Sequence, residues 1–249
     1  MQRAQQTDYS SKRVQMFDKI SREVKAKRII KAISNHLGKE KLKGLTVVDT
    51  GSSTGIIDNY LSRYFGSVYG IDIDKKAVVF AKNNFKRKNL FFQTASALKI
   101  PFGQNKVDVV ICTHIYEHVS DASKLFNEIY RILKPGGICY LAAMNKYTFI
   151  EPHYNLPILS WLPKNVANRY VKLFGKAQEY YETPRSANEL TTLTKMFSKI
   201  DLTPIILRNP NKFGFEDIIY GVMAIIAWLF SPISKYLAPT FFWILTKEQ

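Results

Sequence analysis

The segment Val-Val-Asp-Thr-Gly-Ser-Ser-Thr-Gly at residues 47–55 constrains the fold more than any other part of the chain. Its β-branched residues and Asp49 predict a buried strand, and Gly51 and Gly55 predict a tight turn after that strand. Asp72 ends a second strand-like run seventeen residues beyond Gly55. A glycine-rich turn followed about 20 residues later by an acid at the end of the next strand is the spacing that holds a nucleoside. The pattern therefore predicts a site for a nucleoside cofactor.

A series of motifs in a fixed order indicates which cofactor is bound. Ala-Ser-Ala-Leu-Lys-Ile-Pro-Phe stands at 95–102, and Val-Asp-Val-Val-Ile-Cys-Thr stands at 107–113. A Glu-His pair at 117–118 and Leu-Lys-Pro-Gly-Gly at 133–137 follow. Together with the glycine-rich turn, this run resembles the class I S-adenosylmethionine-dependent methyltransferases over residues 45–145. The resemblance implies that the cofactor is S-adenosyl-L-methionine.

Two positions depart from the family pattern. Ser53 replaces the middle glycine of the turn, and Ser96 replaces the acid that usually meets the adenine amino group. A serine hydroxyl still accepts a hydrogen bond, so an altered adenine contact is expected and not a loss of binding. The resemblance places these residues around the cofactor: Asp49, Gly51, Ser53 and Gly55 on the methionine side, Asp72 on the ribose, Ile73, Ser96 and Ala97 around the adenine, and Thr113 and His114 beside the methionine part.

Alternating strand and helix patterns predict an α/β fold with a mostly parallel sheet and helices on both faces. The resemblance implies a Rossmann-like, doubly wound sheet of seven strands with an antiparallel last strand. We place the sixth strand at 202–208 and the last at 240–246. The predicted organisation is a basic N-terminal helical segment (1–44), a cofactor-binding core (45–145), a helical lid (146–190) and C-terminal strands (191–249) with a hydrophobic insert between the last two strands (210–239).

The charge of the chain is concentrated at its N-terminal end. The net charge is +16, and the residues up to Leu45 carry twelve Lys or Arg against four acids, a net +8. Apolar residues at spacings of three to five predict a helix over 14–36 with a basic opposite face. This face is a solvated surface, a site for an anionic membrane or a site for nucleic acid, and charge alone does not choose among them.

The hydrophobic insert contains seventeen consecutive uncharged residues at 218–234. This length is at the lower limit for a membrane span. If the strands on either side pair in one sheet, both ends of the segment lie on the same side of a bilayer, which excludes a single crossing. A helix that lies in the headgroup region or over a substrate channel satisfies both conditions. Self-association and burial in an ordinary core are the alternatives.

The lid carries aromatic residues among prolines, and the corresponding region selects the substrate in related methyltransferases. Asn145 and the Trp-Leu-Pro-Lys and Thr-Pro elements give a weaker resemblance to the quinone-pathway O-methyltransferases. The alternative is that the aromatic residues pack the lid onto the sheet. The predicted acceptor-binding residues are Asn145, Tyr154, Trp161, Tyr180 and Tyr181.

His118 is the predicted general base, because imidazole titrates near neutral pH, and Glu117 is predicted to assist it. The spelling His-x-x-Glu-His at 114–118 matches an inverted zinc-protease motif, but the strand before it is the wrong context. Some quinone-type methyltransferases carry a Glu-x-x-Glu-His metal site at this place, and this chain has His114 at the first position. The prediction is that no metal is bound, and a divalent cation remains the alternative.

Three functions follow from these features. The first is O-methylation of a lipidic or aromatic small molecule near an anionic membrane. The second is RNA methylation, which is not favoured because no base-flipping loop follows the fourth strand. The third is a non-catalytic cofactor-binding protein. Residues 1–28 show no signal-peptide pattern, and Cys112 and Cys139 lie in predicted strands as reduced thiols, so a cytoplasmic location is expected, with peripheral contact to the inner face of the membrane. The sequence does not define the oligomeric state.

Overall fold

The computed structural model describes Asp8, Ser10 and residues 13–248. Its strands are β1 (Thr46–Thr50), β2 (Ser67–Asp72), β3 (Leu90–Thr94), β4 (Val107–Thr113), β5 (Leu133–Met144), β6 (Ile150–Glu151), β7 (Leu156–Pro157), β8 (Ser198–Asp201) and β9 (Thr240–Thr246). Seven of them form one sheet in the order β3-β2-β1-β4-β5-β9-β8, and β6 pairs with β7. Only β9 runs antiparallel to its neighbours, β5 and β8, within the described sheet. The predicted seven-stranded sheet with an antiparallel last strand is confirmed.

Helices cover both faces of this sheet. They are α1 (Lys19–Leu37), α2 (Ile56–Leu61), α3 (Lys75–Asn84), α4 (Ala122–Ile132), α5 (Lys164–Leu173), α6 (Ala187–Leu193), α7 (Thr203–Arg208), α8 (Pro210–Phe213), α9 (Gly221–Phe230) and α10 (Ser234–Leu237). Successive strand residues point to opposite faces, so Val47 packs with α1, α2 and α3, whereas Val48 packs with α4 and α6. The carboxyl ends of the parallel strands meet at one sheet edge, where Asp72 ends β2 and Thr113 ends β4.

The predicted helix over 14–36 is wrong at its start. Residues Val14–Phe17 form a 3-10 turn, and α1 begins only at Lys19. Asp18 is extended and its carboxylate accepts hydrogen bonds from the backbone N–H groups of Ile20 and Ser21, which caps the helix at this point. Val14 and Ile20, counted in the apolar stripe, are exposed. Of the basic residues in the N-terminal segment, Arg3 and Lys12 lie outside the described residues.

The predicted sixth strand at 202–208 is also wrong. The strand is Ser198–Asp201, and 203–208 is the helix α7. Pro204 explains the difference, because proline cannot donate a hydrogen bond to a strand ladder but is well suited to the first turn of a helix. Asp201 accepts the N–H of Thr203 at 2.9 Å and ends the strand.

The hydrophobic insert between β8 and β9 is attached to the rest of the molecule at both ends. At its beginning, Arg28 of α1 donates from Nε to the carbonyl of Gly214 at 2.8 Å. At its end, Asn145 donates from Nδ2 to the carbonyl of Ala238 at 2.8 Å. The insert thus leaves and returns at fixed points, with α9 between them.

Candidate active site

The glycine-rich turn folds around three residues with left-handed backbone conformation. Gly51, Ser53 and Gly55 have φ values of +90°, +49° and +73°. A Cβ at Gly51 would collide with the end of the Ile115 side chain, and the positive φ strains any residue that has a Cβ, so this position favours glycine. The turn therefore brings its backbone close to the space in front of β1, as the sequence predicts.

Asp72 fixes the shape of that turn. Its two carboxylate oxygens accept the backbone N–H groups of Ser53 at 2.7 Å and of Asp74 at 2.8 Å. Burial raises the pKa of Asp72, and these hydrogen bonds oppose the rise. The same carboxylate lines the cleft, where its remaining lone pairs can accept hydroxyl donors of a ribose.

A second group of acids lies beneath the turn. Asp49 and Asp58 are both buried. Burial raises the pKa of Asp49 to about 7, with Arg22 opposing the rise and Asp72 adding to it. The Oδ1 atom of Asp49 and the hydroxyls of Ser52 and Ser53 have no hydrogen-bond partner among the described residues. Of these residues Ser53 lines the cleft, so its hydroxyl can meet the methionine part of S-adenosylmethionine, and the carboxylate of Asp49 behind the wall favours the ammonium group of that part.

The adenine side of the cleft is apolar. Ile73, Ala95 and Ala97 line it. The predicted contact Ser96 does not line it, and its hydroxyl accepts the N–H of Leu98 at 3.2 Å. Of the other predicted cofactor contacts, Asp49 and Gly55 also lie behind the cleft wall. The rest line the cleft: Gly51, Ser53, Asp72, Ile73, Ala97, Thr113 and His114.

His114 and Glu117 form a pair below the end of β4. His114 has a φ of +55°, and its Nδ1 lies 3.2 Å from Oε1 of Glu117. Burial alone would raise the pKa of Glu117, but the hydrogen bond from His114 and the charges of His114 and His118 outweigh it and lower the pKa. Glu117 is fully buried, so it acts on the cleft only through these imidazoles.

His118 lines the cleft next to a histidine from the lid. Its ring lies edge to face with His153, with 5.0 Å between ring centroids. Its Nδ1 lies 3.7 Å from Oε1 of Glu182. Burial raises the pKa of Glu182. For His153, burial lowers the pKa, but the hydrogen bond with Glu151 and the charge of Glu182 outweigh it and raise the pKa.

The cleft continues from the cofactor turn into an apolar half. Its volume is about 740 Å³, and its basic side chains are Arg22, Lys25 and Arg28 of α1. Burial and the charges of Arg22 and Arg28 lower the pKa of Lys25. Lys25 is nevertheless exposed and lines the cleft. The apolar half is formed by Phe215, Ile219, Met223, Ile226, Phe230 and Phe242, among others.

The outer surface of α9 is exposed and apolar. None of its ten residues is buried, and Val222, Ile225 and Leu229 are 71%, 62% and 60% exposed. This overturns the alternative that the segment is ordinary core. Within residues 13–248, no helix combines the length and the hydropathy that a membrane crossing needs.

The five predicted acceptor residues lie outside the cleft wall formed by the described residues. Asn145 and Tyr180 are buried, the first holding the insert and the second in a small core of the lid. Tyr154 packs against Tyr180, and Trp161 donates to the carbonyl of Thr148. Tyr181 contacts His118, and their rings stack with 6.4 Å between centroids. Their positions favour the lid-packing interpretation.

Sequence reasoning missed His153, Glu182 and Arg22. His153 and Glu182 are 35 and 64 residues from His118, and no spacing rule connects them. The one available signal was rarity, because the chain has only four histidines and three of them, His114, His118 and His153, converge here.

A family model for a methyltransferase domain matches residues 48–141. A ubiquinone biosynthesis O-methyltransferase of Rickettsia canadensis is 31% identical over 170 residues, which cover 64% of this chain and 67% of that protein. A ubiquinone/menaquinone biosynthesis C-methyltransferase of Desulfotalea psychrophila is 28% identical over 145 residues, covering 54% of this chain and 59% of that protein. The chain thus spans little more than half the length of several curated relatives that it matches.

Solved structures agree on the fold. A chain from the complex between the Haloferax volcanii Trm112 methyltransferase activator and a methyltransferase superimposes with a TM-score of 0.62 at 17% identity, covering 99% of this chain and 100% of that one. At this identity the likeness shows the fold alone. Taken with the family model and the relative from Rickettsia, the fold and the turn establish that the chain belongs to the class I S-adenosylmethionine-dependent methyltransferases.

Proposed function

We propose that the protein transfers the methyl group of S-adenosylmethionine to a hydroxyl oxygen of a lipidic or aromatic small molecule that it takes from an anionic membrane surface. The main support for this proposal is the continuous cleft that joins the cofactor turn to the apolar side chains of the insert. Several curated relatives are named ubiquinone biosynthesis O-methyltransferases, which supports oxygen as the acceptor atom.

The cofactor half of the cleft has a role for each polar group. Asp72 accepts the ribose hydroxyls, and Ile73 covers the adenine. Asp49 attracts the ammonium of the methionine part, and Arg22, whose charge acts on Asp49 and which lines the cleft, attracts its carboxylate. Bound S-adenosylmethionine supplies an electrophilic methyl group on its sulfonium.

Methyl transfer is an in-line displacement, so the protein must align the acceptor, exclude water and remove a proton. The apolar half of the cleft aligns the acceptor and excludes water from it. His118 lines the cleft and receives the hydroxyl proton. Glu117 forms a hydrogen bond with His114, and its negative charge stabilises a protonated His118.

Membrane contact is supported by the apolar surface of α9. Both ends of the insert are attached to the same part of the protein, so α9 would lie parallel to the membrane. Trp228 and Tyr236 are more than half exposed and suit the headgroup region, where Lys235 would meet anionic lipids. Burying each large apolar side chain contributes about 1.5–3 kcal/mol, so a few of them suffice for reversible binding.

Vesicle co-sedimentation tests this contact. The double variant Ile225→Ser/Leu229→Ser changes exposed residues that do not line the cleft, and the matched control Leu173→Ser changes an 80% exposed residue of α5. With vesicles containing phosphatidylglycerol, we expect binding that is weaker by about 100-fold or more for the double variant and unchanged binding for the control. Equal binding of all three proteins would reject the membrane surface. A change in oligomeric state without vesicles would instead assign α9 to an interface between two copies.

The acceptor class is tested by incubating the protein with methyl-labelled S-adenosylmethionine and a cell extract separated into lipid, nucleic-acid, protein and small-metabolite fractions. Label in lipids or aromatic metabolites supports the proposal. Label in RNA would restore the nucleic-acid alternative, and cofactor binding without label in any fraction would indicate a non-catalytic protein.

A further inference from the structure

Three side chains from separate parts of the chain converge at the border between the cleft and the lid. His118 follows β4, His153 lies in the turn between β6 and β7, and Glu182 precedes α6. One candidate ligand atom from each lies within 4.8 Å of the others. The side chain of Glu182 is only 2% exposed, and its Oε2 atom has no hydrogen-bond partner among the described residues. A buried carboxylate oxygen of this kind requires a cation or a donor.

The environment of His153 orients it for ligand binding. Its Nδ1 lies 2.6 Å from Oε1 of Glu151. The other oxygen of Glu151 accepts the backbone N–H groups of His153 at 2.8 Å and Tyr154 at 2.9 Å. Glu151 therefore fixes the imidazole ring and its tautomer and leaves Nε2 to bind an ion. A carboxylate that orients a histidine in this way is the usual second layer around a protein-bound metal.

The buried carboxylates around these residues also favour a bound cation. Glu117, Glu151 and Glu182 are all at most 2% exposed, and each has an oxygen within 3.7 Å of a histidine Nδ1. Buried carboxylates in such numbers are expensive unless they are paired with positive charge. A divalent ion between His118, His153 and Glu182 would supply that charge at the point where their ligand atoms converge.

We propose that His118, His153 and Glu182 bind a divalent transition-metal ion. Two imidazoles and one carboxylate form a donor set suited to Zn²⁺ or Fe²⁺, whereas Mg²⁺ and Ca²⁺ prefer oxygen ligands alone. The site differs from the Glu-x-x-Glu-His arrangement considered for residues 114–118, because His114 and Glu117 bind each other and two of the three ligands come from the lid. Three protein ligands leave a coordination position open.

The ion changes how the acceptor loses its proton, and this part of the inference rests on the proposed function. His118 and His153 line the cleft, so the open position is accessible to an acceptor oxygen. A divalent ion lowers the pKa of a hydroxyl bound to it, and the proton leaves to solvent before the methyl group is transferred. His118 cannot be both ligand and proton acceptor through the same nitrogen, so the ion takes over that role when it is bound.

Metal binding is tested on the purified protein, freed of metal, without cofactor or acceptor. Zn²⁺ is titrated by calorimetry, and Co²⁺ is followed by its visible absorption, which reports coordination by protein ligands. We expect one ion per chain for both metals and no comparable binding of Mg²⁺. His153→Gln and Glu182→Gln should each weaken Zn²⁺ binding more than 100-fold, and Glu151→Gln should weaken it about 10–100-fold. Circular dichroism and thermal melting establish that each variant is folded.

Two histidine variants serve as controls. His36→Gln lies in α1 away from the cluster and should bind Zn²⁺ like the unchanged protein. His114→Gln distinguishes the proposed site from the motif at 114–118 and should change the affinity less than tenfold. No stoichiometric binding by the unchanged protein, binding unaffected by His153→Gln and Glu182→Gln, or a full loss in His114→Gln would overturn the proposal.

The catalytic role of the ion is tested in a separate experiment. Once the labelled acceptor fraction is known, a chelator should abolish methyl transfer and Zn²⁺ or Co²⁺ should restore it. Stoichiometric metal binding together with chelator-resistant transfer would overturn the role of the ion in proton removal and leave His118 as the base. Metal binding without any methyl transfer would leave the site intact and contradict the proposed function.

Discussion

The two halves of the cleft are built in different ways. The cofactor half comes from the ends of β1, β2 and β4, which are close in sequence, and it is held by backbone hydrogen bonds such as those to Asp72. The acceptor half comes from α1 and from the insert, almost 200 residues apart, and it is held by apolar contacts and by long-range hydrogen bonds such as that from Arg28 to Gly214. The shape of the cofactor half is therefore fixed by local geometry, whereas the shape of the acceptor half depends on how distant elements pack.

The largest effect on ligand binding is expected from a substitution that disrupts only the cofactor half. Asp72→Ala removes the carboxylate that shapes the turn and meets the ribose, so we expect affinity for S-adenosylhomocysteine to fall about 100-fold, near 2.7 kcal/mol, by calorimetry. Binding to anionic vesicles through α9 should not change. Glu179→Ala, an exposed acid in the lid, is the control. Unaltered affinity in Asp72→Ala would contradict the assigned cofactor site.

A second prediction concerns the buried acid under the turn. The pKa of Asp49 is about 7 in the folded protein and about 3.9 in an unfolded chain. Between these values the folded state keeps a proton that the unfolded state has lost, so the free energy of unfolding falls as pH rises and levels off above pH 7. Asp49→Asn should therefore stabilise the cofactor-free protein by up to about 4 kcal/mol at pH 8 and very little at pH 4.

Urea unfolding at the two pH values measures this difference. The same substitution should weaken cofactor binding, because it removes a negative charge that attracts the ammonium group from behind the cleft wall. A stability gain that is equal at pH 4 and pH 8 would show that ionisation of Asp49 is not its source.

The acceptor half can be tested without knowing the acceptor. Ile226→Ala removes an apolar side chain that lines the cleft, whereas Val222→Ala changes a residue of the same helix that does not. We expect Ile226→Ala to lower the affinity for the apolar fluorophore N-phenyl-1-naphthylamine about fivefold, near 1 kcal/mol. Val222→Ala and cofactor affinity in both variants should stay within twofold. An equal effect of the two substitutions would place the fluorophore on the surface of α9 and not in the cleft.

The smallest expected effect concerns the departure from the family at Ser53. This residue has a φ of +49°, which costs a residue with a Cβ about 1–2 kcal/mol, while glycine loses part of that gain through its unfolded-state entropy. Ser53→Gly should raise the free energy of unfolding by about 0.5–1 kcal/mol, measured by calorimetry. Ser52→Gly, where φ is negative, should lower it by a similar amount. The reverse order would mean that the Ser53 hydroxyl contributes more than the backbone strain.

The sequence predicts the cofactor half well because its signals are local. Strand, turn and acid stand within 26 residues from 47 to 72, and their spacing alone places Gly51, Ser53 and Asp72 together. The position of α7 was missed because the apolar run after Leu202 fits a strand and a helix equally well, and Pro204 decides between them. The start of α1 was missed because the cap at Asp18 overrides the apolar spacing.

The lid and the cluster around His153 could not be predicted in the same way. Aromatic residues such as Tyr180 and Trp161 are equally suited to packing and to binding, and only three-dimensional contacts distinguish the two. The approach of Glu182 to His118 depends on how the lid folds back over the sheet, which no pattern of residues records.

The attachment of the insert at Gly214 and Ala238 limits how the acceptor half can open. A segment whose two ends are fixed cannot slide along the sheet. Arg208 of α7 adds a third attachment just after α9, because its Nε donates to the hydroxyl of Ser231 at 2.7 Å. An acceptor would therefore enter past a wall that is fixed at three points, while the turn around Asp72 keeps its own local hydrogen bonds.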